Sequence, residues 1–400
     1  DGLSELEVKR KLKSLNNKSG TDNISFLGAG CYNHFIPSIV QHLTCRSEFY
    51  TAYTPYQAEI SQGSLQTLFE FQTLICIITG MDVANASMYD GASALAESCI
   101  MCANITKKDE ILMASTIHPD YKDVVKTYAK AKGFTVREIG FNGEEGVTAI
   151  EELKGWINSK TAGVLIQNPN FFGNIENLRG IEDTVHKNGA MLVVCVVEPT
   201  SLGILKTPGY YNADIVVGEG QSFGNNMNFG GPFLGFLATK EKYVRQLPGR
   251  LVGKTKDING DEGYILTLQA REQHIRREKA SSNICTSQAL AAIAAAIYLS
   301  SLGKSGFKKL GELNLQKAHY AFERLRELGL KPKFKSFFYN EFVITFDNIK
   351  EVNEKLLNNG IIGGVDAGAY YKELNNCMII CVTETITKDE IDKFISVIRG

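Results

Sequence analysis

From residue 81 onward, short apolar runs alternate with stretches whose apolar positions recur at helical spacing. The runs fall at 84–89, 110–115, 135–139, 162–167, 191–197, 214–217 and 234–238. Short, largely apolar runs of this length suit strands buried on both faces. Seven of them with helices between predict a mainly parallel α/β sheet covered on both sides. The connections shorten after 197, where the last strands follow one another closely, and this predicts a mixed sheet with one reversed strand.

The flanks read differently. Ser4 with Glu7 three residues on forms a capping box, with Leu3 and Val8 placed as a hydrophobic staple, so a helix is expected from Ser4 to Asn16. An aromatic-rich stretch follows, broken by Gly28, Gly30, Pro37 and Pro55, which suggests an arm lying on another surface before a helix at 64–79. Beyond the strands come an alanine-rich helix at 290–302 and an amphipathic one at 310–329 that ends on a glycine. After Pro332 the pattern gives a strand at 341–346, a helix at 352–358, a strand at 378–382 and a helix at 389–398. The expected organisation is an N-terminal helix and interface arm (1–63), a large α/β domain (64–289), and linking helices with a small C-terminal α/β domain (290–400).

Composition narrows the function classes. A chain of 400 residues with 44% hydrophobic content, 22% charge and a net charge of −1 has the material for two buried cores. It lacks the sustained positive field that nucleic acid selects, because Arg276, Arg277 and Lys279 follow Glu272 and lead to no further cations; they read as a solvated face or a local anion site. Apolar runs such as 191–197 are too short to span a bilayer, and 1–18 is charged without an apolar core, so neither a membrane nor a secretory route is expected. Nine cysteines, an odd number and several within apolar segments, read as reduced core residues of a cytoplasmic protein. Cys99 and Cys102 form a CxxC inside a continuous helical pattern, without a second pair or spaced histidines, so no metal site is expected.

In parallel α/β sheets ligands gather where strands turn into helices. Tyr89-Asp90-Gly91-Ala92-Ser93 offers free backbone N–H groups and a hydroxyl at a helix start, a cradle for phosphate, unless Asp90 only caps the helix. His118 follows a strand, where an imidazole can stack on a planar cofactor, or else it is the entry to a helix beginning at Pro119. Asn168 stands among amides at another strand end, suited to a ring substituent. Glu198 closes the most apolar strand, where its carboxylate either pairs with a pyridinium nitrogen or satisfies loop donors. In this order these groups outline the large domain of a fold-type I pyridoxal-phosphate enzyme.

Such an enzyme needs a lysine after the next strand, since only a primary amine condenses with the cofactor aldehyde. Residues 207–239 contain no lysine, arginine or histidine, and Gln221 and Ser222 occupy the expected lysine region. The nearest lysines, Lys206 and Lys240, lie on the wrong side of flanking strands.

The segments YTPYQAEISQGSLQTLFEFQT, MYDGASALAES, GEGQSFGNNMNFGGPFLGF and LTLQAREQHIRREKASSNICTSQAL resemble the glycine cleavage system P-protein family, glycine dehydrogenase (decarboxylating), in the alpha-subunit form of its two-subunit members. The resemblance covers essentially the whole chain. It implies a catalytically incomplete half, with no catalytic residue of its own, that pairs with a lysine-bearing beta subunit, as alpha2-beta2. The implied reaction decarboxylates glycine on pyridoxal phosphate held covalently by the partner and passes the aminomethyl group to the lipoyl arm of H-protein. Asp90, Gly91, Ala92, Ser93, His118, Asn168 and Glu198 then form a vestigial cofactor site.

Fold-type I active sites lie at a dimer interface, so two segments are candidates for completing the partner's site. One holds Tyr32, Asn33 and His34; the other holds Tyr53, Thr54, Tyr56 and Gln57; the alternative is that these aromatics only pack the interface. Arg271, His274 and Arg277 are read as the start of a helix leading to Asn283, facing either an anion, such as an acidic carrier surface, or ion pairs between subunits. Two other readings stay open: a self-sufficient pyridoxal-phosphate aminotransferase or decarboxylase using Lys206 or Lys254, the latter in a polar loop, and a non-catalytic paralogue that binds a phosphate ligand at Asp90–Ser93.

Overall fold

The seven apolar runs become one sheet: β1 (Val83–Ala84), β2 (Glu110–Ala114), β3 (Thr135–Ile139), β4 (Thr161–Gln167), β5 (Met191–Val196), β6 (Ile215–Glu219) and β7 (Gly235–Thr239). Their spatial order is β1-β7-β6-β5-β4-β2-β3. The central pairings are parallel, while β7 runs antiparallel to both β6 and β1. The chain therefore has the mixed sheet with one reversed strand. Every residue of β2, β4, β5, β6 and β7 is buried, which is why these strands show no alternation in the sequence. The first strand is shorter than expected: beyond Ala84 only the Met88–Gly235 bridge continues it, because the Ala86 N–H turns to the Arg250 carbonyl.

The computed structural model describes residues 2–16, 23–51, 53–228, 231–284 and 287–400. Residues 1, 17–22 and 52 of the expected arm, and 229–230 and 285–286 of two of the family-like segments, lie outside the described residues.

Helix α1 (Glu5–Asn16) carries the expected capping box: the Glu7 N–H donates to Ser4 Oγ at 3.3 Å and the Ser4 N–H to Glu7 Oε2 at 2.7 Å. None of its residues is buried. Helix α2 (Gln62–Thr79) begins two residues before the expected start, and α3 (Gly91–Thr106) and α4 (Pro119–Lys132) follow β1 and β2. Cys99 and Cys102 lie buried in α3, where burial pushes the Cys99 thiol up to about 12.

The two helices expected at 290–302 and 310–329 join as α5 (Ala289–Glu327), broken only at Gly303, whose φ of 59° and ψ of −178° are non-helical. A break without a loop leaves the helical spacing on both sides intact, so the sequence shows two helices and hides their contact. The first half of α5 is long and apolar enough to cross a membrane by composition, but Ala291–Ala296, Tyr298 and Leu299 are buried, packed in the core of the large sheet. Its second half, through Ala318, Ala321 and Leu325, enters a second core with Phe342, Ile344, Met378 and Phe394.

Between β7 and α5 in the chain lies a ribbon that the sequence did not reveal, β8 (Leu251–Lys256) paired antiparallel with β9 (Glu262–Thr267). Lys254 sits in this ribbon rather than in a loop. Only Leu251, Val252 and Leu266 of the pair are buried, so its outer half is polar on both faces and gives no strand signal. The C-terminal sheet has the order β10-β11-β13-β12 for β10 (Lys331–Pro332), β11 (Glu341–Thr345), β12 (Val365–Asp366) and β13 (Cys377–Cys381).

The beginning of the expected arm is built into this second unit. Ile24–Ser25 pairs parallel with Ile361–Ile362, and Phe26 stacks on Phe394 with ring centroids 4.1 Å apart.

Candidate pseudo-active site at the strand ends

The carboxyl ends of β2, β4, β5 and β6 converge on a cluster of buried polar groups, and each expected site residue can be followed there. Asp90 caps α3, its Oδ1 accepting the Ser93 N–H at 2.7 Å. The Gly91 N–H, the natural donor to an anion, donates instead to Glu219 Oε2 at 2.9 Å. Glu219 ends β6, and its other oxygen accepts the N–H groups of Gln221 at 3.0 Å and Leu234 at 2.7 Å. Burial pushes this carboxyl up to about 7 against the pull of its backbone donors, with Asp90 adding to the rise. The helix start thus already holds an acidic group. Gly91 is also tightly confined: a Cβ there would lie 2.5 Å from the Tyr121 hydroxyl.

His118 links α4 to the N-terminal segment. Its backbone N–H donates to Gln167 Oε1 at 2.8 Å, and its Nδ1 accepts the Asp120 N–H at 3.2 Å, which places the ring proton on Nε2. Nε2 donates to the Ala29 carbonyl at 2.8 Å. Burial lowers the pKa of this imidazole, in keeping with a neutral ring. The ring contacts Tyr121 and Phe171, and Gly30 lies directly against it: a Cβ on Gly30 would come within 2.7 Å of both Cδ2 and Nε2. The Cδ2–Nε2 edge of the ring is held by the chain's own backbone. Asn168 is spent locally as well, its Oδ1 accepting the Glu176 N–H at 3.0 Å.

Glu198 is buried, with both oxygens engaged. Oε1 accepts the Thr200 N–H at 2.9 Å and the Thr200 hydroxyl; Oε2 accepts from Ser222 Oγ at 3.1 Å and from His34 Nε2 at 3.0 Å. The other nitrogen of His34 donates to Glu384 Oε2 at 2.7 Å. Burial works against charge on this ring, but Glu198 and Glu384 outweigh it and push its pKa up to about 10. Gln221, in the lysine region, accepts the Tyr32 N–H at 3.1 Å and donates to the Asn225 carbonyl at 2.7 Å.

The segment carrying Tyr32, Asn33 and His34 was expected to reach a partner's site. Instead Tyr32 and His34 point into their own chain and are buried, and Asn33 alone of the three is exposed. The reason is the demand of buried carboxylates: Glu341 takes the Tyr32 hydroxyl at 2.8 Å and the Ala29 N–H at 2.6 Å, and Glu198 and Glu384 take His34. Glu219, Glu341 and Glu384 were missed in the sequence. For Glu219 a signal existed, because IVVGE has the form, apolar strand then carboxylate, that singled out Glu198.

The second segment lies on the surface. Tyr53, Tyr56 and Gln57 are exposed and Thr54 is half-buried. The Tyr56 hydroxyl accepts from Arg250 Nη2 at 2.7 Å, and its ring packs edge-on to His274. Residues 269–279 do not form the expected helix. They are three single turns, Gln269–Arg271, Gln273–Arg276 and Arg277–Lys279, because Arg277 takes a φ of 52° that ends the second. Arg271 is a clamp, donating to the carbonyls of Leu247, Leu268 and Gly249, while His274 and Arg277 are exposed. Lys206 lies over the Tyr210 ring, 4.0 Å from its centroid, and Lys254 pairs with Glu262 at 2.6 Å on the ribbon; both amines are engaged away from the strand-end cluster.

Pyridoxal phosphate does not fit these residues: the Gly91 N–H at the helix start, the Nε2 edge of His118 and the carboxylate of Glu198 are each taken by a group of this chain.

Comparison with known proteins places this geometry. The chain is 54% identical over 400 residues to the probable glycine dehydrogenase (decarboxylating) subunit 1 of Desulfitobacterium hafniense, covering 99% of this chain and 89% of that one. A crystal structure of glycine decarboxylase (P-protein) of the glycine cleavage system, in inhibitor-bound form, superposes with a TM-score of 0.94 at 40% identity, over 100% of this chain and 90% of that one. An apo cysteine desulfurase from Thermococcus onnurineus shares the fold at 15% identity, with a TM-score of 0.70 over 94% of each chain. The fold is that of the type I pyridoxal-phosphate enzymes. Residues 1–398 match the glycine cleavage system P-protein family, and the chain belongs to it.

Proposed function

We propose that this chain is the non-lysine subunit, subunit 1, of a two-subunit glycine dehydrogenase (decarboxylating) working in the glycine cleavage system. The observation that carries the reading is the end of β6, where buried Gln221 and Ser222 stand in place of a Schiff-base lysine and are bonded to Tyr32, Asn225 and Glu198. A lysine-bearing beta subunit then holds pyridoxal phosphate, and the assembled alpha2-beta2 enzyme decarboxylates glycine and transfers the aminomethyl group to lipoylated H-protein. The name subunit 1 carried by relatives supports a second subunit.

This chain's contribution is positional. Tyr53, Tyr56 and Gln57 are exposed, with the His274 ring against Tyr56, and hydrogen-bonding groups there suit completion of a site in the partner. All eight described cysteines are free, which suits a cytoplasmic enzyme.

The test is reconstitution. Purified chain with pyridoxal phosphate and borohydride is expected to give no reduced adduct, and glycine decarboxylation is expected only after a lysine-bearing beta subunit is added, with the adduct mapping to that partner. A stoichiometric adduct on a lysine of this chain, with activity in its absence of partner, would make it a self-sufficient enzyme instead.

A further inference from the structure

Three features on separate elements meet the three parts that a fold-type I cofactor presents. At the α3 start, where phosphate would be cradled, Glu219 supplies a carboxylate bonded to the Gly91 N–H at 2.9 Å. At His118, where the ring would stack, the Ala29 carbonyl accepts the Nε2 proton at 2.8 Å and Gly30 lies against the Cδ2–Nε2 edge, leaving no space for a Cβ. Opposite Glu198, where a pyridinium nitrogen would donate, His34 Nε2 donates at 3.0 Å. Acid stands for acid at the helix start, an N–H cation for an N–H cation at Glu198, and between them the Ala29–Gly30 peptide holds the edge of His118.

Ordinary core packing does not require this matching. A cavity left by a lost ligand is most cheaply closed by apolar side chains, since each buried charge carries a desolvation cost that only well-placed partners offset. Here the buried ionisable groups persist and are paired, and Tyr32 and Gln221 close the remaining gap through the Tyr32 N–H, 3.1 Å from Gln221 Oε1.

We propose that Glu219, the Ala29–Gly30 peptide and His34 form an internal replacement for the cofactor, which holds this subunit in a closed, holo-like state and excludes pyridoxal phosphate from its own strand ends. The proposal rests on the reading that the Schiff-base lysine belongs to the partner. Its consequence is one cofactor per alpha-beta pair, so that the pool is never divided between a productive and a sterile site.

The experiment counts pyridoxal phosphate in the assembled enzyme by equilibrium dialysis and follows thermal melting of this chain with pyridoxal phosphate or imidazole. One cofactor per pair and an unshifted melting temperature for the wild-type chain are expected. His34→Ala should melt several degrees lower and regain part of that loss with added imidazole, which re-enters the space facing Glu198. Glu219→Gln, which keeps the shape, serves as a second variant and should likewise melt lower. Two cofactors per pair, a cofactor-dependent rise in the wild-type melting temperature, or His34→Ala that imidazole leaves unchanged would each overturn the replacement. The outcomes separate the two readings: a second cofactor released by dialysis defeats only the replacement, whereas one fixed by borohydride to a lysine of this chain defeats the subunit assignment as well.

Discussion

His34 Nε2 lies 3.0 Å from Glu198 Oε2 while its Nδ1 lies 2.7 Å from Glu384 Oε2, so one buried imidazolium joins the end of a large-sheet strand to the C-terminal unit. Its folded pKa of about 10 stands above the ordinary imidazole value of 6.5, so protons are bound more tightly in the folded state. The stability it contributes is therefore complete below the unfolded pKa and is lost as pH rises through the folded one. In urea titrations, wild type should exceed His34→Gln by a wide margin near about pH 6, and the margin should narrow towards about pH 10. A margin that does not vary with pH would mean that the ring is neutral.

Glu219 serves its backbone donors with both oxygens, Gly91 on one and Gln221 and Leu234 on the other. An amide offers only one acceptor oxygen and turns its NH2 towards the remaining donors. Glu219→Gln should therefore lose about 1–3 kcal/mol of unfolding free energy, the cost of stranding buried N–H groups. A stability equal to wild type would show that these contacts are dispensable.

Gly30 and Gly260 both adopt positive φ, 103° and 88°, but a Cβ at Gly260 meets nothing within 4 Å whereas one at Gly30 strikes His118. Alanine at Gly260 should cost only backbone strain, on the order of 1 kcal/mol. Gly30→Ala should cost more, and the excess, read by calorimetry, measures how firmly the peptide sits on the imidazole.

The Tyr56 hydroxyl receives one hydrogen bond, from Arg250, at a half-open surface. Tyr56→Phe should change the stability of the chain by about 1 kcal/mol or less. In the assembled enzyme, Tyr56→Phe and Tyr53→Phe should each lower glycine turnover while gel filtration still shows the intact assembly. Unchanged kinetics for both would reduce this segment to packing.

Periodicity made the large sheet legible because its strands are buried on both faces, and an apolar run such as MLVVCV has no other reading between turn residues. Strands escaped for two reasons: β8 and β9 project beyond the core and keep too little apolar sequence, while two-residue strands such as Lys331–Pro332 are too short to show a period. At the site, the positions of Asp90, His118 and Glu198 followed from strand ends alone, and the absence of lysine from 207–239 from composition. What the residues do there was not legible. Spacing locates a carboxylate, but the group that neutralises it comes from a segment 164 residues away, as with His34 and Glu198, and no local pattern announces so distant a pairing.

The path of residues 24–34 has a mechanical meaning. The strand at Ile24–Ser25 and the Phe26 ring are fixed in the C-terminal unit, while Ala29, Tyr32 and His34 reach His118, Gln221 and Glu198 of the large sheet. The two units, joined also along α5 with its break at Gly303 and by contacts such as Tyr371 to the Ser115 carbonyl, are thus stitched by a strap whose ties are buried or half-buried. Rotation of one unit against the other would have to break several of those ties together. The chain therefore behaves as a braced frame that holds its two cores in one orientation.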